Sequence, residues 1–380
     1  MNAFSTTYDE ALHLLHALSG THGIHASLSP TANYSAVFAR DAVMAGVAGL
    51  LVEDARITRS FIATLEHLRD LQGTEGQIAS NYARRDSGPP LVSFGSLVPR
   101  LDAPLWYLIG VGLGSRVGAL DPEEFRASVE LVVRMLHAIE YNGRHLIYVP
   151  VGGDWADEYV YEGYILHDQV LRAWGLRLAG ATYQRTDWSD KAAQIDEAIA
   201  AAYWPAGREH EFPLAAFSPA RVFDVFDLAT CSLLGVSGVA PALSPKALDW
   251  ISAHYLAESR LPPAFHPVIE PGHADWQALQ RYQLHGFRNR PHEYHNGGIW
   301  MIWLGWLALA LAQSGRQAEF TQLFDAVIAR LSVASGYGFE EYFHGSSGVA
   351  MGTPQMAYSA TGVLFIHAAR SGNGLGLLRP

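Results

Sequence analysis

Two acidic positions set in aromatic surroundings carry the most chemistry in this chain. Asp157 lies in "DWADEYVYEGY", residues 154–164, and Glu341 lies in "FEEYFHG", residues 339–345. Cleavage of a glycosidic bond needs two carboxyl groups on opposite sides of the anomeric carbon, one to protonate the departing oxygen and one to activate water. The protonated partner must be partly buried or lie beside another acid so that its pKa rises. Asp157 meets that description on paper, with Trp155 and Tyr159 to desolvate it and Glu158 to add like charge. Glu341 is then the ionised partner. Asp154 and Glu162 compete with Asp157, and Glu340 competes with Glu341. Trp155, Tyr161, Trp106 and Tyr342 are candidates for stacking on sugar C–H faces, while carboxylates, amides and Arg take the hydroxyls in charge-assisted pairs. Each has a plainer reading, since aromatic side chains are commonly core and an acid ahead of an apolar run commonly caps a helix. That second reading applies to Asp41 and Asp102.

Residues this far apart meet only if the fold gathers distant loops. Helical periodicity predicts twelve helices, near 8–18, 42–51, 57–72, 104–111, 122–140, 164–179, 190–203, 226–234, 245–258, 298–314, 318–335 and 354–371. Some are amphipathic, such as 57–72. Others, such as 298–314 and 354–371, are almost wholly apolar or small. Fully apolar helices inside a ring of amphipathic ones make an all-α (α/α)6 barrel; a solenoid of helical hairpins is the alternative, although no fixed-period repeat supports it. Short strands are predicted at 90–94 and 145–151. The absence of βαβ alternation argues against a doubly wound sheet. No low-complexity linker divides the chain, so one catalytic domain over 1–380 is expected.

The short segments around these acids resemble those of (α/α)6-barrel glycoside hydrolases, specifically the neutral/alkaline invertases and the glucosidase domain of glycogen-debranching enzymes. "FARDAV" (38–43), "EGQIASNYA" (75–83), "RLDAPLWYL" (100–108), "DWADEYVYEGY", "EYHNGGIW" (293–300), "EEYFHG" and "TPQMAYSATG" (353–362) occur in matching order. The resemblance implies an inverting, exo-acting hydrolase of a small α-glucoside or sucrose-like disaccharide, with Asp157 as general acid and Glu341 as general base. It implies sugar contacts from Arg40, Asp41, Gln77, Asp102, Trp106, His295, Asn296 and Gln355, and a role for Ser359, with no metal or organic cofactor. The chain departs from the pattern at Glu158-Tyr159, where invertases carry two arginines, and at Tyr358, where they carry Trp. A sugar 2-epimerase using histidine acid and base, and a non-catalytic carbohydrate-binding protein, are the alternatives.

Composition narrows the partners. The chain has 380 residues, 49% hydrophobic and 17% charged, with a formal charge of −11. Without a Lys/Arg cluster, nucleic acid and anionic membrane surfaces are not expected partners. The apolar run 299–312 is shorter than the roughly 20 residues a membrane span needs. The N-terminal segment lacks the pattern of a signal peptide, and the single Cys231 permits no intrachain disulfide; a cytoplasmic protein with a small carbohydrate substrate is expected, and a homo-oligomer stays open. His285, His292 and His295 follow no metal-binding spacing. The glycine-rich "IGVGLGSR" (109–116) follows a helical pattern and lacks the phosphate-loop Lys, so it is not expected to bind nucleotide.

Overall fold

The computed structural model describes residues 3–31, 33–85, 87–140, 143–205, 211–281, 286–333 and 336–379. Thirteen α-helices occur among them. They are α1 (Ala3–Leu18), α2 (Ala39–Leu51), α3 (Ala55–Asp70), α4 (Asp102–Arg116), α5 (Arg126–Ala138), α6 (Leu166–Tyr183), α7 (Thr186–Ala202), α8 (Leu228–Ser237), α9 (Ser244–His254), α10 (Trp276–Leu279), α11 (Met301–Gln313), α12 (Gln317–Val333) and α13 (Ala357–Ser371). The twelve long ones correspond to the predicted helices, with ends displaced by a few residues. The single-turn α10 carries too little periodicity to be read from sequence.

The packing order decides between barrel and solenoid. α2 packs on α4, α4 on α6, α6 on α8, α8 on α11, α11 on α13, and α13 returns to α2. That closed circuit of six is the inner ring of an (α/α)6 barrel. Each inner helix also carries an outer partner: α3 on α2, α5 on α4, α7 on α6, α9 on α8, α12 on α11 and α1 on α13. Composition explains the division. Every residue from Met301 to Leu311 in α11 is buried, so this helix is enclosed on all sides. In α3, Ile57, Phe61, Leu65 and Leu68 recur at three- and four-residue spacing and are buried, while Arg56, Arg59 and Arg69 are not. At the barrel axis the indoles of Trp106, Trp174 and Trp306 meet with centroids 5.9–6.4 Å apart. No helix of the described residues is long and apolar enough to cross a membrane.

Helix starts follow local chemistry. Asp54 Oδ1 accepts from the backbone N–H of Arg56 and Ile57, at 3.0 and 2.9 Å, and caps α3. Asp227 caps α8 in the same way through Ala229 and Thr230. Asp121 accepts from the Glu123 N–H at 3.0 Å ahead of Pro122, so the predicted helix 122–140 begins as one 3₁₀ turn before α5. The strand predicted at 145–151 does not form; among the described residues this segment pairs through single bridges, Ile147 with Glu140 and Val149 with Gly163. The 90–94 strand is present as Leu91–Ser93, the edge of a three-stranded antiparallel sheet with Asn81–Ala83 and Val37–Phe38. This sheet delivers the chain directly into α2, placing Arg40 and Asp41 in its first turn.

Candidate active site

A cavity of about 580 Å³ opens at the end of the barrel where α2, α4, α11 and α13 begin. Arg40 and Asp41 come from the first turn of α2, Asp102 and Ala103 from that of α4, Trp300 immediately precedes α11, and Met356 and Tyr358 flank the start of α13. Helix N-termini present positive dipole ends, which favours carboxylates there. Asp41 and Asp102 do not cap their helices, as the plainer reading of the sequence would have it; both turn toward Arg40. Its Nε donates to Asp41 Oδ1 at 3.0 Å and its Nη1 to Asp102 Oδ2 at 2.8 Å.

Asp157 and Glu341, far apart in the chain, line this same cavity. Asp157 keeps 29% of its side chain exposed, and its Oδ2 accepts from Arg100 Nη2 at 2.5 Å. Arg100 also donates to the Asp154 carbonyl at 2.9 Å, so the guanidinium is held from two sides. The neighbours expected to raise the Asp157 pKa are directed elsewhere. Tyr159 stacks on Phe265 at 4.0 Å, and Glu158 forms an ion pair with Arg288. Burial pushes the Asp157 carboxyl upward, but Arg100, with Arg40 behind it, carries it below the usual carboxylate range. The Arg100 pair thus favours the ionised carboxylate, which corrects the expectation of a raised pKa.

Glu341 is shifted the other way. Burial raises its carboxyl above the usual range, and the charge on Asp157 acts in the same direction. Arg288, the Tyr34 hydroxyl and the Thr353 N–H bring it part of the way back. Tyr34 Oη donates to Glu341 Oε1 at 2.8 Å, and the Thr353 N–H reaches Oε2 at 3.3 Å. Gly352 sits against this carboxylate with φ +83°, a conformation that side chains resist; a Cβ there would lie 2.6 Å from the Glu341 Cβ. The competitors lie elsewhere. Asp154 is fully buried beneath the cavity, with Tyr161 Oη donating to its Oδ2 at 2.5 Å. Glu340 accepts from the Gly338 N–H at 3.1 Å, and neither it nor Glu162 lines the cavity.

Of the other residues named from sequence, Arg40, Asp41, Asp102, Trp155, His295 and Tyr342 line the cavity. Trp155 stacks on Phe265 and meets His295 edge-on at 5.1 Å. Burial pushes the His295 imidazole down to about 3, so it is neutral. Six named residues lie away from the lining, each for a local reason. Trp106 is wholly buried in the indole cluster at the barrel axis. Tyr161 is committed to Asp154. Asn296 ties loops together: it accepts from the Ile269 N–H at 2.7 Å and donates to the Ile269 and Asn289 carbonyls. Gln77 folds back on its own turn and accepts from the Glu75 N–H at 3.2 Å. Gln355 is exposed and bonds through its backbone N–H to Gly338. Ser359 likewise acts on the backbone, donating to the Glu340 carbonyl at 2.7 Å. His292 packs near His344, and His285 lies outside the described residues.

Sequence reasoning passed over Tyr34, Arg100, Arg288 and Trp300 in the lining. Tyr34 and Arg100 stood inside polar, aromatic connectors, which was the available signal. Arg288 sits in "LHGFRNRPHEYH", among histidines that follow no metal-binding spacing.

Comparison with known proteins agrees with this architecture. The sequence profile of the alkaline and neutral invertase family matches residues 264–369, the stretch that supplies Arg288, His295, Trp300 and Glu341. A probable alkaline/neutral invertase D from Arabidopsis thaliana is 31% identical over 138 residues, 36% of this chain. The match spans only 24% of that relative's length. Among solved structures, a GH63 mannosylglycerate hydrolase from Thermus thermophilus in complex with glucose superposes with a TM-score of 0.69 at 14% identity, covering 94% of this chain and 98% of that one. A rhamnosidase from Klebsiella oxytoca with rhamnose bound gives 0.66 at 13% identity, covering 97% and 64%. The chain thus shares the (α/α)6-barrel fold of these glycosidases and, across residues 264–369, the sequence pattern of the alkaline and neutral invertases.

Proposed function

We propose that the protein is an inverting, exo-acting glycoside hydrolase of a small α-glucoside or sucrose-like disaccharide, the whole barrel of residues 1–380 acting as one catalytic unit. The observation that carries this reading is the meeting of Asp157 and Glu341 in one sugar-sized cavity rimmed by Arg40, Asp41, Asp102 and the rings of Trp155, Trp300 and Tyr342. Glu341 takes a proton from water as the water oxygen bonds to the anomeric carbon. Asp157 gives its proton to the departing oxygen, so both proton and bond count balance. Arg40, fixed between Asp41 and Asp102, places the terminal sugar.

The ion pair with Arg100 means that Asp157 must gain a proton before it serves as acid. In this reading the bound sugar draws Arg100 away from Asp157, and the carboxyl, already disfavoured by burial as an anion, then takes up its proton. The epimerase alternative needs a histidine that changes charge near neutral pH. Among the described lining residues His295 is the histidine, and its burial keeps it neutral.

A panel of α-glucosides and β-fructofuranosides, followed by proton NMR during the first turnovers, tests the reading. Release of the anomer opposite to that of the substrate supports it. Release of the same anomer, or epimerised free sugar without hydrolysis, removes it.

A further inference from the structure

We propose that Tyr34 is the positioning residue of the hydrolytic base, held in place by Arg288, so that three separate segments fix the orientation of one carboxylate. The proposal rests on the reading of Glu341 as that base. Tyr34 Oη donates to Glu341 Oε1 at 2.8 Å, and Arg288 Nη1 lies 3.3 Å from the same phenol oxygen. Arg288 cannot swing freely. Its guanidinium pairs with Glu158 and lies 4.1 Å above the Tyr294 ring. A phenol that receives a bond from a guanidinium has its own proton free for the carboxylate, so the sequence Arg288 to Tyr34 to Glu341 runs in one direction.

Burial pushes the Tyr34 phenol far above its ordinary range, so it remains a donor at every pH at which an enzyme works. A donor of this kind stabilises Glu341 as an anion and fixes rotation about its last bond. Oε1 is occupied, and Oε2, which among the described residues takes the longer contact from the Thr353 N–H, is the oxygen left to take a proton from water.

The backbone supports the same role. The turn carrying Tyr34 closes through Ser27 N–H to the Tyr34 carbonyl at 2.9 Å. Ser27 Oγ donates to the Pro354 carbonyl at 2.8 Å, and the Ala357 N–H donates to the Ala26 carbonyl at 2.8 Å. Tyr34 is thereby fastened to the segment that follows Glu341 and ends in α13. The titratable and charged groups facing Glu341 are Tyr34, Arg288, Asp157, Tyr294 and Tyr342, with Glu158 behind Arg288.

The test uses the full chain with carboxyl-labelled glutamate and carbon NMR, the Glu341 signal being assigned by its loss in Glu341→Gln. In Tyr34→Phe the Glu341 titration midpoint moves to higher pH and kcat falls about 10- to 100-fold, the span of one hydrogen bond to a charged group. KM stays within about threefold, since the hydroxyl orients the base rather than the sugar. Fluorinated tyrosine at position 34, which preserves shape and strengthens the donor, moves the midpoint the other way. An unmoved midpoint in both variants, beside an inactive Glu341→Gln, overturns the proposal alone, even if kcat falls. Undiminished turnover in Glu341→Gln overturns the base assignment and this proposal with it.

Discussion

Trp106 offers a sharp trial of how this barrel is built. Its sequence context suits a sugar platform, whereas the structure buries it completely where α4, α6 and α11 converge, within 6.4 Å of Trp174 and 5.9 Å of Trp306. Trp106→Ala empties that position. A buried Trp removes on the order of 150–250 Å² from water, which at about 25 cal/mol per Å² is about 4–6 kcal/mol. Measured Trp-to-Ala losses in cores run about 3–5 kcal/mol. With an unfolding entropy of about 2.1 cal/mol/K per residue, a chain of 380 residues loses about 5 °C in Tm for a 4 kcal/mol change. Urea and thermal unfolding, each followed by near-ultraviolet circular dichroism, give the loss directly. Under conditions where the variant remains folded, its KM should stay near that of the parent. A stability loss below about 1 kcal/mol, combined with a large rise in KM, would place the ring on the sugar and refute this account of the barrel axis.

Other outcomes follow from the same geometry. Arg100→Met removes the partner that holds Asp157 ionised, so the Asp157 carboxyl, followed by NMR of labelled aspartate, should titrate at higher pH; an unmoved titration would show that the pair does not form in solution. Gly352→Ala places a methyl group against Glu341 at a backbone angle of φ +83°; it should cost about 1–3 kcal/mol of stability and at least about tenfold in kcat, and a variant of normal activity would contradict the close approach. Asp54→Ala removes the α3 cap and should cost about 1 kcal/mol at pH 7. The folded Asp54 pKa is lowered: burial alone would raise it, but the Ile57 N–H, His16 and the Arg56 N–H outweigh that. Its contribution is thus present above the unfolded value of about 3.9 and is lost as pH falls through the folded one. The gap between variant and parent in denaturant midpoint should close in acid, and a gap that widens there would contradict the cap.

Much of the architecture is legible in the residues. Helices with no polar face, such as α11, must lie inside, and helices with one apolar stripe, such as α3, must lie outside. Two such sets in alternation leave few solutions. Asp157 and Glu341 are legible because carboxylates beside aromatics have little reason to exist in a core, and Arg40 because its segment "FARDAV" resembles one of the invertase family. What cannot be read is direction. Trp155 lines the cavity and Trp106 lies in the core, yet both are tryptophans in polar-flanked aromatic segments; the difference is which way the chain enters α4. Glu158, adjacent to Asp157, reads as like charge, but backbone direction sends it to Arg288. The contact of Tyr34 with Glu341 joins segments 307 positions apart, a relation carried by barrel closure and by no local pattern.

Asp157 and Glu341 are proposed to work as a pair across one bound sugar. The direct measurement is single-turnover hydrolysis by Asp157→Asn and Glu341→Gln beside the parent, with substrate binding followed by calorimetry in the same samples. The account predicts that each variant loses at least about three powers of ten in rate, on the order of 4 kcal/mol, while retaining affinity. Near-parental hydrolysis by either variant would contradict it.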